Sequence, residues 1–565
     1  MISLVFIVGV ALLVLGYFSY GGVVERWLGV DDDRRTPAHT VHDDPEAARD
    51  PALRHDYSPA RAPVIFGHHF SSIAGAGPIA GPIFAAALFG WLPVAVWLVL
   101  GSVLIGGVQD FSSLVASLRH KARSIGEISR RFLSPLGVHL LLIFIYLTLL
   151  YVTVVFLDLT SRTFVASGGV ASSSVLYIVL AAAFGVAVLR LRLPLWLGSV
   201  IFVPLVFAGI WGGQQLPLDL DPGVVGDPGT FWDVVLIVYC FVASILPVWL
   251  LLQPRDYLSS YLLFGCLAGG FVGILVGTLT GDLGASRVAP WFSFTHPGVG
   301  TMVPVLFITV ACGASSGFHT LVASGTTAKQ LDRERHARPI AYGGMLLEGV
   351  LALVALAAIM VVGVSGNRVA PTVVFAQGIG HFLAALGIDP ALGASFGLLA
   401  VSTFLLTTLD TCTRLGRYVF EELTRMKGLA ARYIATGVTV AIPAIFVLVP
   451  FRDAQGKLLV PWKVVWPVFG ATNQLLGGLA MLVVILWLRS TGRRAWFVIG
   501  PCLFMVTVTL WSLVQMVLGS GQAPVIRIVA GVLLALALAL VVETVLVLVR
   551  RPRESTPMDE AGGPS

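Results

Sequence analysis

The run 67–82 lies in a stretch apolar enough to cross a membrane, yet its own residues interrupt a helix. Its interior reads Gly75-Ala76-Gly77-Pro78, and a second Gly-Pro pair follows at 81–82. Glycine is a poor helix former, and proline lacks the N–H that an internal helical turn needs. A backbone group freed in hydrocarbon is costly unless protein, water or ligand satisfies it. We therefore expect a discontinuous helix that borders a cavity, as at the binding sites of transporters.

The composition places the whole chain in a membrane. Hydrophobic residues make up 57% of the 565 positions, charged residues 12%, and the mean hydropathy is +0.90. These values are far from those of soluble domains and predict an all-α polytopic membrane protein. We place fifteen spans near 2–19, 64–89, 92–118, 136–165, 171–190, 194–212, 232–252, 257–280, 301–325, 340–364, 392–411, 430–450, 464–488, 496–518 and 525–549.

The basic residues orient this map. Most of the 36 Lys and Arg residues fall in loops on one side if the N-terminus is outside and the loops alternate. By the positive-inside rule, the C-terminus is then cytoplasmic. This topology, with contact to the anionic leaflet of the lipid bilayer, accounts for the net charge of +6 without nucleic acid as a partner.

Spans two and seven suggest an inverted 5+5 repeat. They run in opposite directions, lie five spans apart, and both carry helix breakers: the run 75–78 in one, Pro247 and Pro254 in the other. Prolines are common in membrane helices, so the repeat remains one interpretation. The predicted regions are an anchor helix with a mobile cytoplasmic linker (1–63), a core with repeats 64–212 and 232–411 (64–411 in all), accessory helices (412–549) and a disordered tail (550–565).

Ordered strings of unusual residues extend from about 60 to 490. The strings are Phe66-Gly67-His68-His69-Phe70, Ile73-Ala74-Gly75-Ala76-Gly77-Pro78, Gln109-Asp110-Phe111, Leu246-Pro247-Val248-Trp249-Leu250, Pro254-Arg255-Asp256-Tyr257-Leu258, Ala311-Cys312-Gly313, Ser316-Gly317-Phe318-His319, Ser324-Gly325-Thr326-Thr327, Leu409-Asp410, Thr413-Arg414, Trp466-Pro467-Val468-Phe469-Gly470 and Asn473-Gln474-Leu475. Together these strings resemble the carbon starvation protein A (CstA) family.

The resemblance implies a multi-pass secondary transporter of the bacterial inner membrane, expressed in carbon starvation. Its core would be the inverted 5+5 repeat of the amino acid/polyamine/organocation superfamily, which is LeuT-like. It implies import of peptides or pyruvate, coupled to protons, with sodium as the alternative ion. This chain lacks a long insertion that larger members carry between the spans near 364 and 392, which leaves the choice of substrate open. The oligomeric state is also open, and a homo-oligomer is compatible with the sequence.

Candidate substrate-binding residues lie at the interrupted spans. Free amides at the first break, with the positive end of the following half-helix, would suit a carboxylate. Tight packing is the alternative, because Gly77 and Gly81 form a GxxxG pattern. Hydroxyls in the span near 301–325 could bind substrate or sodium, or could simply join helices. The candidate residues are Gly75, Ala76, Gly77, Pro78, Pro247, Gly313, Ser315 and Ser316.

Candidate ion-coupling residues are ionisable groups at membrane depth, where charge is expensive and often functional. Asp110 has no basic neighbour within a turn, whereas Asp410 has Arg414 at i+4 and could simply pair with it. Adjacent histidines near the inner end of span two could relay protons or form a solvated interfacial pair. The candidate residues are His68, His69, Asp110, His319, Glu348 and Asp410.

Other classes of function are weakly supported. The string 313–317 fits G-x-S-x-G, but its flanks are membrane spans and not a strand-to-helix elbow, so we do not expect an enzyme. Five scattered cysteines without CxxC spacing, and no Walker A or Rossmann fingerprint, indicate neither a metal nor a cofactor. Asp158 and Arg162 are interpreted as a structural i,i+4 pair. A membrane sensor that signals through a partner is the alternative function, and a passive channel is a third.

Overall fold

The computed structural model describes residues 1–41, 57, 59–246, 251–284, 286–288, 291–297, 299–363, 370–426, 428–450, 458, 460–519 and 524–549. Pro247 and the tail at 550–565 lie outside the described residues. Within the described parts the chain is nearly all helical, and one short hairpin pairs β1 (Thr295–His296) with β2 (Gly300–Thr301) in antiparallel register.

The first half of the chain contains fourteen helices. They are α1 (Ile2–Phe18), α2 (Tyr20–Leu28), α3 (Pro37–Thr40), α4 (Ala62–Ile73), α5 (Gly77–Phe89), α6 (Trp91–Gly101), α7 (Gly107–Arg119), α8 (Ile125–Ser129), α9 (Pro135–Ala166), α10 (Gly168–Leu189), α11 (Leu195–Gln215), α12 (Pro222–Val225), α13 (Pro228–Ile245) and α14 (Leu252–Leu279), all within the described ranges.

The second half continues from α15 to α24. These are α15 (Met302–Thr309), α16 (Ala311–Ala314), α17 (Gly317–Gly325), α18 (Gly343–Val362), α19 (Pro371–Ala384), α20 (Pro390–Thr424), α21 (Leu429–Leu448), α22 (Pro461–Ser490), α23 (Trp496–Leu518) and α24 (Pro524–Val549). Two π-helical turns, Ser102–Gly106 and Arg338–Tyr342, lead into α7 and α18, respectively.

The spans agree closely with the hydropathy map. Among the residues described, thirteen helices are long and apolar enough to cross a membrane, and α4 with α5 forms one further, bent pair. The expectation for 301–325 is wrong in one respect: this run is three short helices, α15 to α17, and not one continuous span. The chain is a multi-pass membrane protein.

The first break falls where the glycines and prolines predict it. α4 ends at Ile73, Ala74 leaves the helical region (φ −75°, ψ 62°), and α5 begins at Gly77 with Pro78 in its first turn. The two half-helices are bent by 42° relative to each other. Pro78 suits this position because the first turn of a helix does not need its N–H.

The second break separates α16 from α17. Ser315 and Ser316 are extended (φ −169° and −140°), and the helix resumes at Gly317. The side chain of Asn473 on α22 replaces the lost helical acceptors, since its Oδ1 accepts hydrogen bonds from the Phe318 N–H at 2.9 Å and from Ser316 Oγ at 3.2 Å. This span can therefore be interrupted without a proline.

The two interrupted spans pack reciprocally. α5 packs against α18, the helix that follows the second break, while α17 packs against α7, which follows the first. The π-helical turns also touch, because the Tyr342 hydroxyl donates to the Val103 carbonyl at 2.9 Å. Each interrupted span therefore packs against a helix that follows the other break.

Part of the predicted mobile linker is ordered, and the expectation for residues 20–41 is wrong. Glu25 pairs with Arg338 at 2.9 Å, His39 with Asp332 at 2.9 Å, and Arg119 donates to the Gly29 carbonyl at 2.9 Å. These contacts anchor the segment to the end of α7 and to the loop between α17 and α18. The sequence indicated only polarity here, because every partner lies far away along the chain.

Candidate functional site

Three ionisable side chains meet in the bundle interior, from helices on both sides of the repeat interface. Asp110 projects from α7, His319 from α17 and Glu348 from α18. All three side chains are fully buried. The sequence predicted each as an ion-coupling residue, and the structure brings them together as one cluster, which we call the triad.

The imidazole of His319 lies between the two carboxylates. Its Nδ1 is 2.9 Å from Asp110 Oδ2 in a hydrogen bond, and its Nε2 is 3.1 Å from Glu348 Oε2. The second pair is within ion-pair distance but lacks the alignment of a hydrogen bond, and Glu348 has no hydrogen-bond partner among the described residues. The triad can therefore hold protons at several interchangeable positions.

This arrangement does not favour a metal. The carboxylates approach opposite ring nitrogens, so the three side chains do not converge on one point. Across the described ranges, no group of three or more His, Cys, Asp or Glu residues could hold a metal ion.

His69 lies beside the triad. It is buried, and its Nδ1 is 2.8 Å from Thr327 Oγ1. The ring edge packs on Gly344, one helical turn before Glu348, where an added Cβ would lie 3.2 Å from His69 Cδ2. His69 therefore lies inside the bundle near the triad, and the interpretation of a solvated interfacial pair does not hold for it.

A second buried network surrounds Arg255 in the first turn of α14. Its guanidinium pairs with Asp410 of α20, donates to Tyr239 Oη at 2.6 Å, and lies 3.4 Å from Asp256 Oδ1. His68 of α4 completes the network, with its Nδ1 3.0 Å from Asp256 Oδ2. We call these five residues the Arg255 network. Arg255, Asp256 and Asp410 are essentially inaccessible, His68 is 8% exposed, and Tyr239 is partly exposed.

The network corrects one interpretation of the sequence. Asp410 does not pair with Arg414, whose Nη2 instead donates to the Ala243 and Leu246 carbonyls at 2.9 Å each. Nor does Asp410 lie at the end of its span, since α20 continues to Thr424. Arg255 was not among the predicted site residues, because it falls in the short gap between the predicted spans 232–252 and 257–280, whereas the structure places it inside α14.

The glycines of the first break permit close packing. A Cβ at Gly75 would lie 2.7 Å from Thr408 Oγ1, and one at Gly77 would overlap the Cys312 side chain. Gly313 is less tightly confined, with Ala352 Cβ 3.1 Å and Pro78 Cα 3.3 Å from its Cβ position. Tight helix packing, the alternative to substrate binding, is therefore one role of these glycines. Ala76 nevertheless provides no side-chain cap, so the positive end of α5 is left without one.

Ser315 and Ser316 have protein partners at the second break. Ser315 Oγ lies 3.2 Å from Met505 Sδ, and Ser316 Oγ contacts both polar atoms of Asn473. Gln109 of α7 donates to the Ser316 carbonyl at 2.5 Å. The positive end of α17 is therefore occupied by Asn473, while that of α5 is not, which distinguishes the two breaks.

A cavity of about 220 Å³ opens between α8, α9, α17 and α20. Leu321, two residues after His319, forms part of its wall. Its polar lining includes residues of both charges, namely Glu127, Lys329 and Glu422. The cavity lies at the ends of helices where the Lys- and Arg-rich loops begin.

Comparisons with known proteins find the same family that the residue strings of this sequence resemble. The model for the family "Carbon starvation protein CstA" matches residues 2–366 and 364–512. The peptide transporter CstA of Escherichia coli is 32% identical over 89% of this chain and 79% of its own length. That of Campylobacter jejuni is 30% identical over 91% and 80%. The pyruvate/proton symporter BtsT of E. coli is 30% identical over 90% and 80%.

The family match covers both breaks, the triad and the Arg255 network. It also extends over α1 and α22, which lie outside the predicted core but pack against it. The chain therefore belongs to the carbon starvation protein CstA family.

Proposed function

We propose that this chain is a secondary transporter that imports a small carboxylate-bearing nutrient, a peptide or pyruvate, together with protons. The observation that carries the proposal is the buried triad of Asp110, His319 and Glu348. The named activities of its relatives, peptide transport and pyruvate/proton symport, supply the class of substrate.

The charges of the triad explain why it would take up protons. With both carboxylates ionised and His319 protonated, the cluster still carries one negative charge, and all of it is buried. An uncompensated charge in a low-dielectric interior costs several kcal/mol. Binding one more proton makes the cluster neutral. Because its members belong to α7, α17 and α18, the change in charge acts directly on the contact between the repeats.

Protons suit the site better than sodium. Each buried carboxylate of the two networks already faces a cationic side chain: His319 lies beside Asp110 and Glu348, while Arg255 lies beside Asp256 and Asp410. A sodium ion bound to one of these carboxylates would lie close to a protonated imidazole or to a guanidinium, and like charges repel each other strongly in a buried site. The hydroxyls at the second break contact protein groups in the same way.

The substrate carboxylate would bind at the first break. α5 begins there without a side-chain cap, and the N-terminus of a helix carries a positive partial charge and free N–H groups. Gly75 and Gly77 allow backbone groups to approach a ligand closely. In this account the basic loops are cytoplasmic and the N-terminus is outside, so the cavity beside Leu321 would be the inner exit.

Uptake into proteoliposomes tests this function. We expect labelled pyruvate or a labelled dipeptide to accumulate under an inward proton gradient, to stop doing so with a protonophore, and to be indifferent to sodium removal. Asp110→Asn should abolish accumulation. Asp158→Asn is the matched control, because Asp158 is equally buried but pairs with Arg162 at 3.1 Å and accepts from the Trp462 N–H.

Three outcomes would contradict the proposal. Uptake that needs sodium and survives the protonophore would show that the coupling ion is sodium and not the proton. Equilibration without accumulation would indicate a passive channel. Binding of either substrate with no uptake of it would favour a sensor.

A further inference from the structure

Three arginines converge on the C-terminal end of α13. Arg414 and Arg417 belong to α20, and Arg432 belongs to α21. Arg414 is 7% exposed and Arg417 is 3% exposed, whereas Arg432 is partly exposed beside them. Neither the triad nor the Arg255 network uses these three side chains, which we call the arginine cluster.

The cluster donates only to backbone. Arg414 bonds to the Ala243 and Leu246 carbonyls, Arg417 to the Ser244 carbonyl at 2.8 Å, and Arg432 to the Ile245 carbonyl. A guanidinium offers more N–H donors than these bonds use. In the part of the chain that the structure describes, the Nε of all three arginines is buried and has no hydrogen-bond partner.

The charge of the cluster is not balanced by its surroundings. The closest carboxylate is that of Glu421, whose Oε1 is 3.9 Å from Arg417 Nε, too far for a hydrogen bond. The C-terminus of a helix supplies roughly half an elementary negative charge. Three positive charges less one carboxylate and this half charge leave more than one positive charge over. Capping of α13 therefore explains the position of the arginines but not their number.

The surroundings of the cluster indicate where an anion would come from. α20 ends and α21 begins here, and basic residues recur through residues 425–432, which comprise the connecting loop and the first turn of α21. Tyr418, stacked on Arg417 at 4.6 Å, is 38% exposed, and Tyr433 is 46% exposed. Leu429 is 73% exposed. Exposed tyrosines beside apolar side chains are typical of the membrane–water interface, where phospholipid phosphates lie.

We propose that the arginine cluster binds the phosphate of an anionic phospholipid headgroup. A phosphate carries the charge that the cluster lacks and accepts several N–H bonds at once, which guanidinium groups recognise well. Basic pockets between helices on this side of a membrane bind such headgroups. This site is independent of the transported substrate and its ion.

Lipid binding to the purified full-length chain tests the proposal. We would count bound dioleoyl phosphatidylglycerol by native mass spectrometry, and follow the thermal transition in detergent with phosphatidylglycerol, phosphatidylethanolamine or inorganic phosphate. Of these three additives, only phosphatidylglycerol should bind tightly and raise the temperature of the thermal transition. Arg417→Gln and Arg432→Gln should each weaken its apparent affinity, by roughly fivefold per arginine. Arg489→Gln, an exposed arginine at the end of α22, should leave it unchanged.

A charge-preserving variant separates binding from folding. Arg432→Lys keeps the charge and should retain most of the affinity, even if Arg417→Gln proves too unstable to purify. Equal lipid binding by Arg432→Gln and the wild-type chain would overturn the proposal. Protection by inorganic phosphate but not by phosphatidylglycerol would instead assign the cluster to a soluble anion and overturn the lipid assignment.

Discussion

His319 is the residue on which the coupling account depends, because it alone touches both carboxylates of the triad. A proton that binds to any of the three side chains changes the charge seen by the other two. The ring also connects α17, which follows the second break, to the helices on either side. In the proposed mechanism, a change in the charge of the triad would reach these helices through one imidazole.

Glu348→Gln tests this linkage at a residue where size and polarity can be kept. Glutamine cannot bind the additional proton, so we expect substrate exchange to continue while accumulation under a proton gradient is lost. A gradient of about one pH unit can support roughly tenfold accumulation per proton. The ratio of internal to external label should thus fall from that range to about one. Full accumulation by the variant would exclude Glu348 from coupling.

Arg255→Met tests the second network through stability. Removal of the guanidinium leaves Asp256 and Asp410 buried without their shared cation, which typically costs about 3–5 kcal/mol. We expect a large fall in the thermal transition measured by size-exclusion chromatography, and a smaller fall for Arg255→Lys. If the thermal transition of Arg255→Met occurs at the same temperature as that of the wild-type chain, the network contributes little to the stability of the fold.

Sequence could identify these residues but not their partners. Because a buried charge is costly, the sequence indicated Asp110, His319 and Glu348 one by one as candidate residues. Their contact could not be predicted, because it depends on packing between distant parts of the chain: Asp110 and His319 are 209 positions apart. Local spacing was misleading for Asp410, because the i+4 arginine turns to backbone carbonyls instead. Arg255 was missed because it lies next to Asp256 and at a predicted span end.

The two breaks differ in how they are built. The first follows from its own glycines and prolines, so it was predictable from composition. The second has no internal proline at the break and depends on Asn473, which is 155 positions from Phe318. A local pattern cannot reveal a side chain that arrives from another helix.

Gly77→Ala tests the first break. Its Cβ would overlap the Cys312 side chain, and the contacted atoms belong to a short side chain on α16 that cannot rotate clear. We expect lower expression and loss of transport. Cys312→Gly in the same chain should restore much of the thermal stability because it removes the obstructing atoms. An unaffected Gly77→Ala single variant would contradict the packing described.

Asn473→Ala tests the second break. The change removes the acceptor of the Phe318 N–H, a capping contact that is worth about 1 kcal/mol. It also leaves Ser316 without this partner. We expect a modest fall in the thermal transition, with Asn473→Asp recovering part of it because a carboxylate also accepts at a helix N-terminus. A transition equal to the wild type in Asn473→Ala would argue against the cap.

At the scale of the whole molecule, hydropathy predicted the number and limits of most spans, because each must match the thickness of the membrane. The pairing of the repeats was harder to predict, since it depends on contacts such as α5 with α18 and α17 with α7. The N-terminal segment gave a similar result: its charges looked like those of a solvated linker, but Glu25 and His39 bind the loop before α18.

If the triad couples transport to protons, each substrate molecule that enters must bring protons with it, and this proton movement can be measured directly. Proteoliposomes that contain a trapped pH-sensitive dye, with no imposed gradient, would receive the dipeptide or pyruvate that the uptake assay identifies. We predict acidification of the lumen with the wild-type chain and none with His319→Gln. Substrate entry without acidification by the wild-type chain would contradict proton coupling.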